Sequence, residues 1–211
     1  MKKLFLALII TFCAASFSYA QFDFGIGSDI SFLQVEEADE KDFISETLAT
    51  VNLGGYIFIN DSWYGIYRPM SVSLGFIDSG FGSDPITLLS LNFGLGFGAK
   101  WQINEEHSII GGIAPVFTYF RLASDDFPGK APSAFLFGGG LDVHYQYEPF
   151  RDEKISFAFI TGTRFQWCPV SFLNANDDIK IRQLIAIRPY AGFSIRFDTS
   201  RNNYVMTGPG F

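Results

Sequence analysis

The sequence predicts an all-β fold, an eight-stranded antiparallel up-and-down β-barrel that crosses a membrane. Residues 87–103 alternate without a break between large apolar side chains and small or polar ones, and only a β-strand places successive side chains on opposite faces. The chain is also rich in two residue types, with 25 Phe and 21 Gly among 211 residues. Beyond residue 20, no stretch reaches the roughly 18 uninterrupted apolar residues of a spanning helix, so this apolar content indicates strands.

The first twenty residues have the layout of a secretory signal peptide. Lys2 and Lys3 form a basic start, an apolar run follows, and residues 18–20 are a small-residue end, which predicts cleavage before Gln21. Cleavage changes the net charge from −7 to −9, and a chain this acidic is a poor partner for nucleic acid. The exported chain keeps one cysteine, Cys168, so its fold must hold without an internal disulfide.

Four strands are predicted in the first half of the chain, and each has one apolar face and one small or polar face. They comprise residues 22–32, 47–59, 64–77 and 87–103. The last of them contains Gly94-x-Gly96-x-x-Ala99, which matches a dinucleotide-binding pattern. That site needs a helix directly after the glycines, whereas here the strand pattern continues on both sides. The match is therefore accidental.

Four further strands are predicted in the second half: residues 107–122, 133–147, 155–169 and 184–197. The first of these is apolar on both faces, so its orientation stays open. Prolines disturb the pattern, because a closed barrel has no free edge that tolerates a missing N–H. Pro69, Pro169 and Pro189 lie near strand ends and are expected at the rims. Pro115 lies deeper and predicts a bulge.

The connections between these strands alternate in length. Short or modest connections are expected at 60–63, 104–107 and 148–154, and longer polar ones at 33–46, 78–85, 123–132 and 172–183. Short periplasmic turns opposite long extracellular loops are typical of outer-membrane barrels. The interior of an eight-stranded barrel is just wide enough for its own side chains, so the glycine-rich face is predicted inside and the Phe- and Leu-rich face in lipid. A soluble, lipocalin-like periplasmic binder would reverse the two faces and is the alternative.

Aromatic residues at strand ends agree with this orientation. Trp63, Trp101 and Trp167 lie near the predicted ends, where amphipathic rings favour the membrane–water boundary. No catalytic residue, metal site or cofactor is predicted. The acidic run at residues 35–42 is interpreted as a solvated loop, because it lacks the ligand spacing and central glycine of a calcium loop.

The last predicted strand carries a more specific signal. Tyr190, Gly192, Ile195 and Phe197 resemble the motif that the barrel-insertion machinery reads in small eight-stranded outer-membrane barrels of the OmpX, OmpA-transmembrane and OmpW type. The resemblance implies a monomeric barrel over residues 21–197, in contact with outer-membrane lipids of a diderm bacterium. In that family the aromatic usually closes the chain, whereas here a tail, residues 198–211, follows.

Eight ionisable residues are predicted on the inward face: Asp23, Asp29, Lys100, Asp142, His144, Arg164, Arg188 and Arg196. Charges inside a barrel must be paired or hydrated. Because the first and last strands must meet to close the barrel, Asp23 is expected level with Arg196 and Asp29 level with Arg188. We interpret this lumen charge cluster as structural; a substrate or proton path is the functional alternative.

Besides the soluble periplasmic binder, the sequence leaves two functions in the membrane open and makes an enzyme a weaker candidate. The first is a non-enzymatic role in membrane integrity or in surface interaction through extracellular loops, with an unidentified ligand. The second is a narrow, OmpW-like channel for small hydrophobic molecules, for which Leu88, Ile110 and Leu184 are candidate lining residues. Barrel enzymes of this size that act on lipid A use His with Ser and a carboxylate, and here His144, Asp142 and Ser156 are the candidates; a plugged lumen argues against them.

Overall fold

The computed structural model describes residues 19–37, 40–58, 65–67, 69–77, 86–123, 131–151, 155–175 and 179–198. Most of the predicted signal peptide and nearly all of the predicted tail lie outside these residues, so both remain predictions. Tyr19 and Ala20, which precede the predicted cleavage point, already belong to the first strand. Within the described part of the chain there is no helix long and apolar enough to span a membrane.

The described residues form ten strand segments. They are β1 (Tyr19–Glu37), β2 (Glu40–Phe58), β3 (Gly65–Tyr67), β4 (Met70–Ile77), β5 (Ile86–Gly94), β6 (Gly96–Gln102), β7 (His107–Ala123), β8 (Ser133–Arg151), β9 (Ile155–Asn174) and β10 (Ile179–Asp198). β3 and β4 continue one another and both pair with β2, and β5 and β6 continue one another and both pair with β7. The ten segments therefore form the eight walls of the barrel, where a wall is either one long strand or two segments that continue one another.

The walls close into a ring in which every pairing is antiparallel. Neighbours in sequence are neighbours in the sheet, and β1 pairs with β2 on one side and with β10 on the other. This confirms the predicted up-and-down barrel of eight strands. Closure gives each wall two hydrogen-bonded neighbours, which removes the exposed edge that an open sheet would present.

The two split walls break beside each other. β3 ends at Tyr67 and β4 begins at Met70, β5 and β6 separate at Leu95, and the Gly94 amide donates to the Pro69 carbonyl at 3.0 Å. Pro115 lies at this level in β7, where the partner changes from β5 to β6. The bulge predicted at Pro115 is wrong, since the β7–β8 register runs through it unbroken. Pro115, which has no N–H to donate, lies beside the point where the neighbouring wall is itself interrupted between β5 and β6.

Several strands are longer than predicted. β1 and β2 stay paired as far as Glu37 and Glu40, so the loop predicted at 33–46 is mostly a hairpin. β9 and β10 likewise take up most of the loop predicted at 172–183. The acidic run at 35–42 therefore lies largely on strands, which corrects its interpretation as a loop. The alternation of inward and outward side chains continues into this run, with Leu33 and Val35 facing inward, but the polar residues hide it in the sequence.

The apolar face points outward and the small or polar face points into the lumen. Exposed apolar side chains surround the barrel, among them Phe22 at 60%, Phe97 at 74% and Phe159 at 61%. The orientation of β7, which the sequence leaves open, follows the same rule: Ile113 and Phe117 face outward, and Val116 and Phe120 face the lumen. A soluble binder of the lipocalin type would bury such residues, so that alternative does not fit.

Glycines make room for large rings inside the lumen. A Cβ on Gly98 would lie 2.5 Å from the Tyr56 ring, and a Cβ on Gly112 would lie 2.6 Å from the Tyr67 ring. The two tyrosine rings also stack on each other, with centroids 4.9 Å apart. Small residues in one wall are therefore matched to aromatic residues two walls away, and this matching fills the lumen.

Candidate functional site in the barrel lumen

Asp142 is the centre of a buried hydrogen-bonded cluster in the lumen. Arg164, on the neighbouring β9, donates to its Oδ2 from Nε at 3.2 Å and from Nη2 at 3.1 Å. The hydroxyl groups of Tyr67 and Tyr190 donate to Oδ2 at 2.5 Å and to Oδ1 at 2.8 Å. The carboxylate is 1% exposed. Its charge is matched by a guanidinium and its oxygens are occupied, as a buried carboxylate requires.

Arg164 also braces the barrel across its width. Its Nη1 donates to Asn52 Oδ1 on β2 at 3.3 Å and to the Met70 carbonyl on β4 at 3.0 Å. One side chain from β9 thus reaches two walls that are not its neighbours. A planar guanidinium with five N–H donors suits this bridging role better than an ammonium group.

His144 lies beside this cluster and is enclosed. Its Nδ1 is 3.1 Å from the Tyr190 hydroxyl and 3.8 Å from Asp142 Oδ1, and its Nε2 is 3.9 Å from Asp23 Oδ2. The residue is 1% exposed. Ser156 lies opposite Arg196 on β10, six residues along β9 from Gly162, the partner of His144. The structure therefore does not bring Ser156 and His144 together as a nucleophile and base.

A second buried cluster surrounds Asp29. Arg188 Nε donates to Asp29 Oδ2 at 2.7 Å, and the hydroxyl groups of Ser31 and Ser73 donate to the same carboxylate at 2.6 and 2.5 Å. Arg188 also donates to Gln166 through Nη1. Asp29 and Arg188 are both 0% exposed. They are one of the two ion pairs expected from the sequence across the β1–β10 seam.

The second expected pair has a different register. Asp23 lies opposite Ser194, and Arg196 lies opposite Gln21, so the two charges are offset by two residues rather than level. Arg196 Nη2 is 3.5 Å from Glu148, which also lies 3.9 Å from Lys100 Nζ. Glu148 was missed because it was assigned to a turn. The inward alternation of His144 and Gln146, continued by one step, would have found it.

The extracellular half of the lumen is filled by apolar side chains. Its members are all 7% exposed or less: Leu33, Val35, Leu48, Phe120, Leu122, Ala134, Leu136, Cys168, Ile181, Leu184 and Ala186. Leu184 is therefore in this layer, whereas Ile110 packs with Tyr56 and Tyr67 in a separate cluster. The side chain of Leu88 lies outside the described set. The free thiol of Cys168 is buried here as well.

The remaining sequence-predicted residues lie on the outside or on the last strand. Trp101 and Trp167 are both 51% exposed on the apolar outer face, and Trp63 lies outside the described residues. In the predicted insertion signal, Tyr190 faces the lumen, whereas Phe197 faces outward. His107 stacks on Tyr147 with centroids 4.9 Å apart. Among the described residues, no group of three or more His, Cys, Asp or Glu side chains is arranged to hold a metal ion.

Comparison with protein-family models gives no match, and comparison with curated protein sequences gives none either. Solved structures do match. The crystal structure of the outer membrane protein OprG from Pseudomonas aeruginosa covers 87% of this chain and 98% of its own, at 13% identity and a TM-score of 0.52. Ail, the attachment invasion locus protein of Yersinia pestis, covers 83% and 98% at 16% identity with a TM-score of 0.47.

Neisserial surface protein A covers 84% of this chain and 98% of its own, at 11% identity and a TM-score of 0.47. At identities this low the likeness is one of fold, and the OprG comparison carries it. The ring of eight antiparallel walls is the feature that this chain and OprG share. The chain therefore has the fold of the small outer-membrane β-barrel proteins, which confirms the resemblance predicted from its sequence.

Proposed function

We propose that this chain is an integral outer-membrane protein with a closed lumen, which supports membrane integrity and presents its extracellular end to the surroundings. The observation that carries the proposal is the combination of a mainly apolar outer belt with a lumen filled by paired charges. Exposed Phe and Leu side chains on the outer face are favourable only in hydrocarbon, since each would cost about 1.5–3 kcal/mol if left in water.

A closed lumen is supported by two layers. The Asp29 and Asp142 clusters connect side chains from several walls. The side chains of the apolar layer on the extracellular side of these clusters are all buried. A cavity of about 10 Å³ lies between the clusters, lined by Tyr67, Asn92 and Arg164 among others. That is room for about one water molecule, which is too little for a hydrophobic solute.

A non-enzymatic role is supported by the surroundings of His144. A general base needs an accessible substrate proton within about 3 Å, and a nucleophile beside it. His144 faces Asp23, Asp142 and Tyr190 with its two nitrogens, and none of these groups is a nucleophile for acyl transfer. Its role is better explained as filling the lumen and linking Asp23 to the Asp142 cluster.

Export, insertion and oligomeric state complete the proposal. A signal peptide cleaved before Gln21 would deliver the chain to the periplasm. Tyr190, Gly192, Ile195 and Phe197 would then be read by the barrel-insertion machinery, and the finished barrel would be a monomer. The ring needs no second chain for closure, because β1 pairs with β10.

Two measurements test this proposal. The protein is first extracted from membranes with detergent and run on a gel with and without boiling. A folded barrel migrates differently from the boiled chain, whereas a chain that stays folded in buffer without detergent contradicts the membrane assignment. Purified protein is then inserted in a planar bilayer. We expect no steady conductance and no uptake of small hydrophobic solutes; either one would instead favour the channel.

A further inference from the structure

A row of charged residues crosses the outer face beyond the extracellular edge of the apolar belt. Glu36 on β1 lies directly opposite Lys41 on β2 and opposite Lys180 on β10, so the three residues form one line over three strands. Arg182 stands beside them on β10. Three cations and one anion give this patch a charge of about +2, in a chain whose net charge is −7.

Glu36 holds Arg182 in place. Arg182 donates from Nε to Glu36 Oε2 at 3.0 Å and from Nη2 to Oε1 at 2.7 Å, a two-point contact that fixes the plane of the guanidinium. Among the described side chains, Arg182 Nη1 makes no hydrogen bond, and neither Lys41 nor Lys180 belongs to an ion pair. The patch therefore offers donors that an anion from outside the protein can use.

The height of the patch is fixed by the register. Phe32, Ile185 and Trp167 are paired in one row; the apolar belt ends there on β1 and β10, whereas on β9 it continues through Val170 and Phe172. Gln34 and Gln183 form the next outward pair, and Glu36 follows two residues later. At about 3.3 Å per residue, Glu36 lies about 13 Å along the strand from Phe32, and less than that in height because strands are tilted. This is the depth of lipid headgroups rather than of acyl chains.

A groove adjoins the charged row. The β9–β10 pairing ends at Cys168 and Leu184, directly before Pro169, and above that point the two strands separate. The groove between them has a volume of about 480 Å³ and includes Lys41, Glu36 and Arg182 on one side and Pro169 and Val170 on the other. Val170 is 50% exposed. The groove thus has a cationic side and an apolar side.

We propose that this groove binds the phosphate-bearing headgroup of a phosphorylated glycolipid from the outer leaflet, with the phosphate at Lys41, Lys180 and Arg182 and the top of an acyl chain against Val170. The inference rests on the proposed function, because it needs the belt to lie in the membrane. A membrane lipid fits this groove better than free phosphate does, because the groove has an apolar side and because its charged residues lie at the depth of lipid headgroups. Basic residues near a membrane surface each strengthen binding to anionic lipids.

The test compares two variants of the full chain, purified in detergent. K41Q/K180Q removes Lys41 from the groove and Lys180 from the charged row beside it, while keeping the Glu36–Arg182 contact. R121Q is the matched control, since Arg121 is an exposed cation near the extracellular end of β7, a wall that is not a neighbour of β1, β2 or β10. Native mass spectrometry measures binding of diphosphoryl lipid A, of phosphatidylcholine, and of inorganic phosphate alone.

We expect the wild type and R121Q to bind diphosphoryl lipid A equally, and K41Q/K180Q to bind it roughly 30-fold more weakly, with phosphatidylcholine unaffected. Equal lipid A binding by all three proteins overturns the proposal. Binding of inorganic phosphate at the same strength as lipid A also overturns it, because the site would then be a simple anion site. Failure to insert into detergent micelles contradicts the proposed function itself, and gel migration distinguishes that outcome.

Discussion

Arg188 on β10 and Asp29 on β1 form an ion pair at 2.7 Å across the seam that closes the barrel, and neither residue is exposed to solvent. The register between the two strands passes from Gly27–Tyr190 to Ile30–Ile187, with no paired residues between them. The side-chain pair lies in this gap, beside Pro189, which has no N–H to donate. A side-chain contact therefore connects β1 and β10 at the point where their backbone pairing is interrupted.

Replacing Arg188 by Gln should weaken the barrel strongly. The change leaves the Asp29 carboxylate buried without its cation, and losing one partner of a buried pair costs about 3–5 kcal/mol. Urea unfolding in lipid vesicles, followed by tryptophan fluorescence, measures the free energy of unfolding. Arg196→Gln is the control, because the Arg196 side chain is 15% exposed and can be hydrated. If the two variants unfold at the same urea concentration as the wild type, the seam pair does not stabilise the fold.

Enlarging a lumen glycine should prevent folding, whereas enlarging an outward one should not. In Gly112→Leu, the new side chain would begin 2.6 Å from the Tyr67 ring, which itself contacts Asp142. In Gly139→Leu, a Cβ meets nothing within 4 Å, and the leucine would extend into lipid. Gel migration without boiling reports the folded fraction. We expect the Gly112 variant to be mostly unfolded and the Gly139 variant to match the wild type; the reverse order would exclude this lumen packing.

A charge in the middle of the outer belt should hinder insertion. Phe97 is 74% exposed and faces lipid, so Phe97→Arg should cost about 2–4 kcal/mol near the bilayer midplane. Gln102→Arg is the control, because Gln102 is exposed at the periplasmic end of the same wall, where a cation reaches water. The measurement is the midpoint of urea unfolding in vesicles. A Phe97 variant as stable as the Gln102 variant would place this face outside the hydrocarbon.

The Glu36–Arg182 contact should break in acid. The hydrogen bonds from Arg182 lower the pKa of Glu36 below its ordinary value. A carboxyl group with a depressed pKa in the folded state contributes stability above its unfolded pKa, and loses that contribution as pH falls through the lowered value. We therefore expect the contact to persist through the pH range in which an ordinary glutamate becomes protonated, and to be lost only at lower pH. NMR titration of the Glu36 carboxyl carbon checks this, and Arg182→Gln should raise the pKa.

Side-chain direction could be read from the sequence because it depends only on the parity of positions along a strand. Asp29, Arg164 and Arg188 were expected in the lumen on this basis, and the structure buries all three. The pairing of walls depends on the stagger of the barrel, which parity does not encode. Asp23 is therefore opposite Ser194 and not level with Arg196.

Contacts between side chains across the lumen could not be predicted from the sequence either. The hydrogen bonds of Tyr67 and Tyr190 to one carboxylate join β3, β8 and β10, which are far apart in the chain. Tyr67 alternates with the apolar residues of its strand, which predicts an inward side chain, but nothing local indicates its partner. The strand ends differ from prediction for another reason: polar residues such as Glu36 predict a loop, although a strand that has left the hydrocarbon also presents polar groups outward.

The β1–β2 hairpin stays paired as far as Glu37 and Glu40, so strand pairing holds its backbone beyond the apolar belt. An antibody, phage or host receptor that meets this end of the protein encounters a preformed shape, and binding it forfeits little conformational entropy. Recognition should accordingly follow three-dimensional form: antisera raised against the native barrel will lose most of their binding to this epitope once the chain has been boiled.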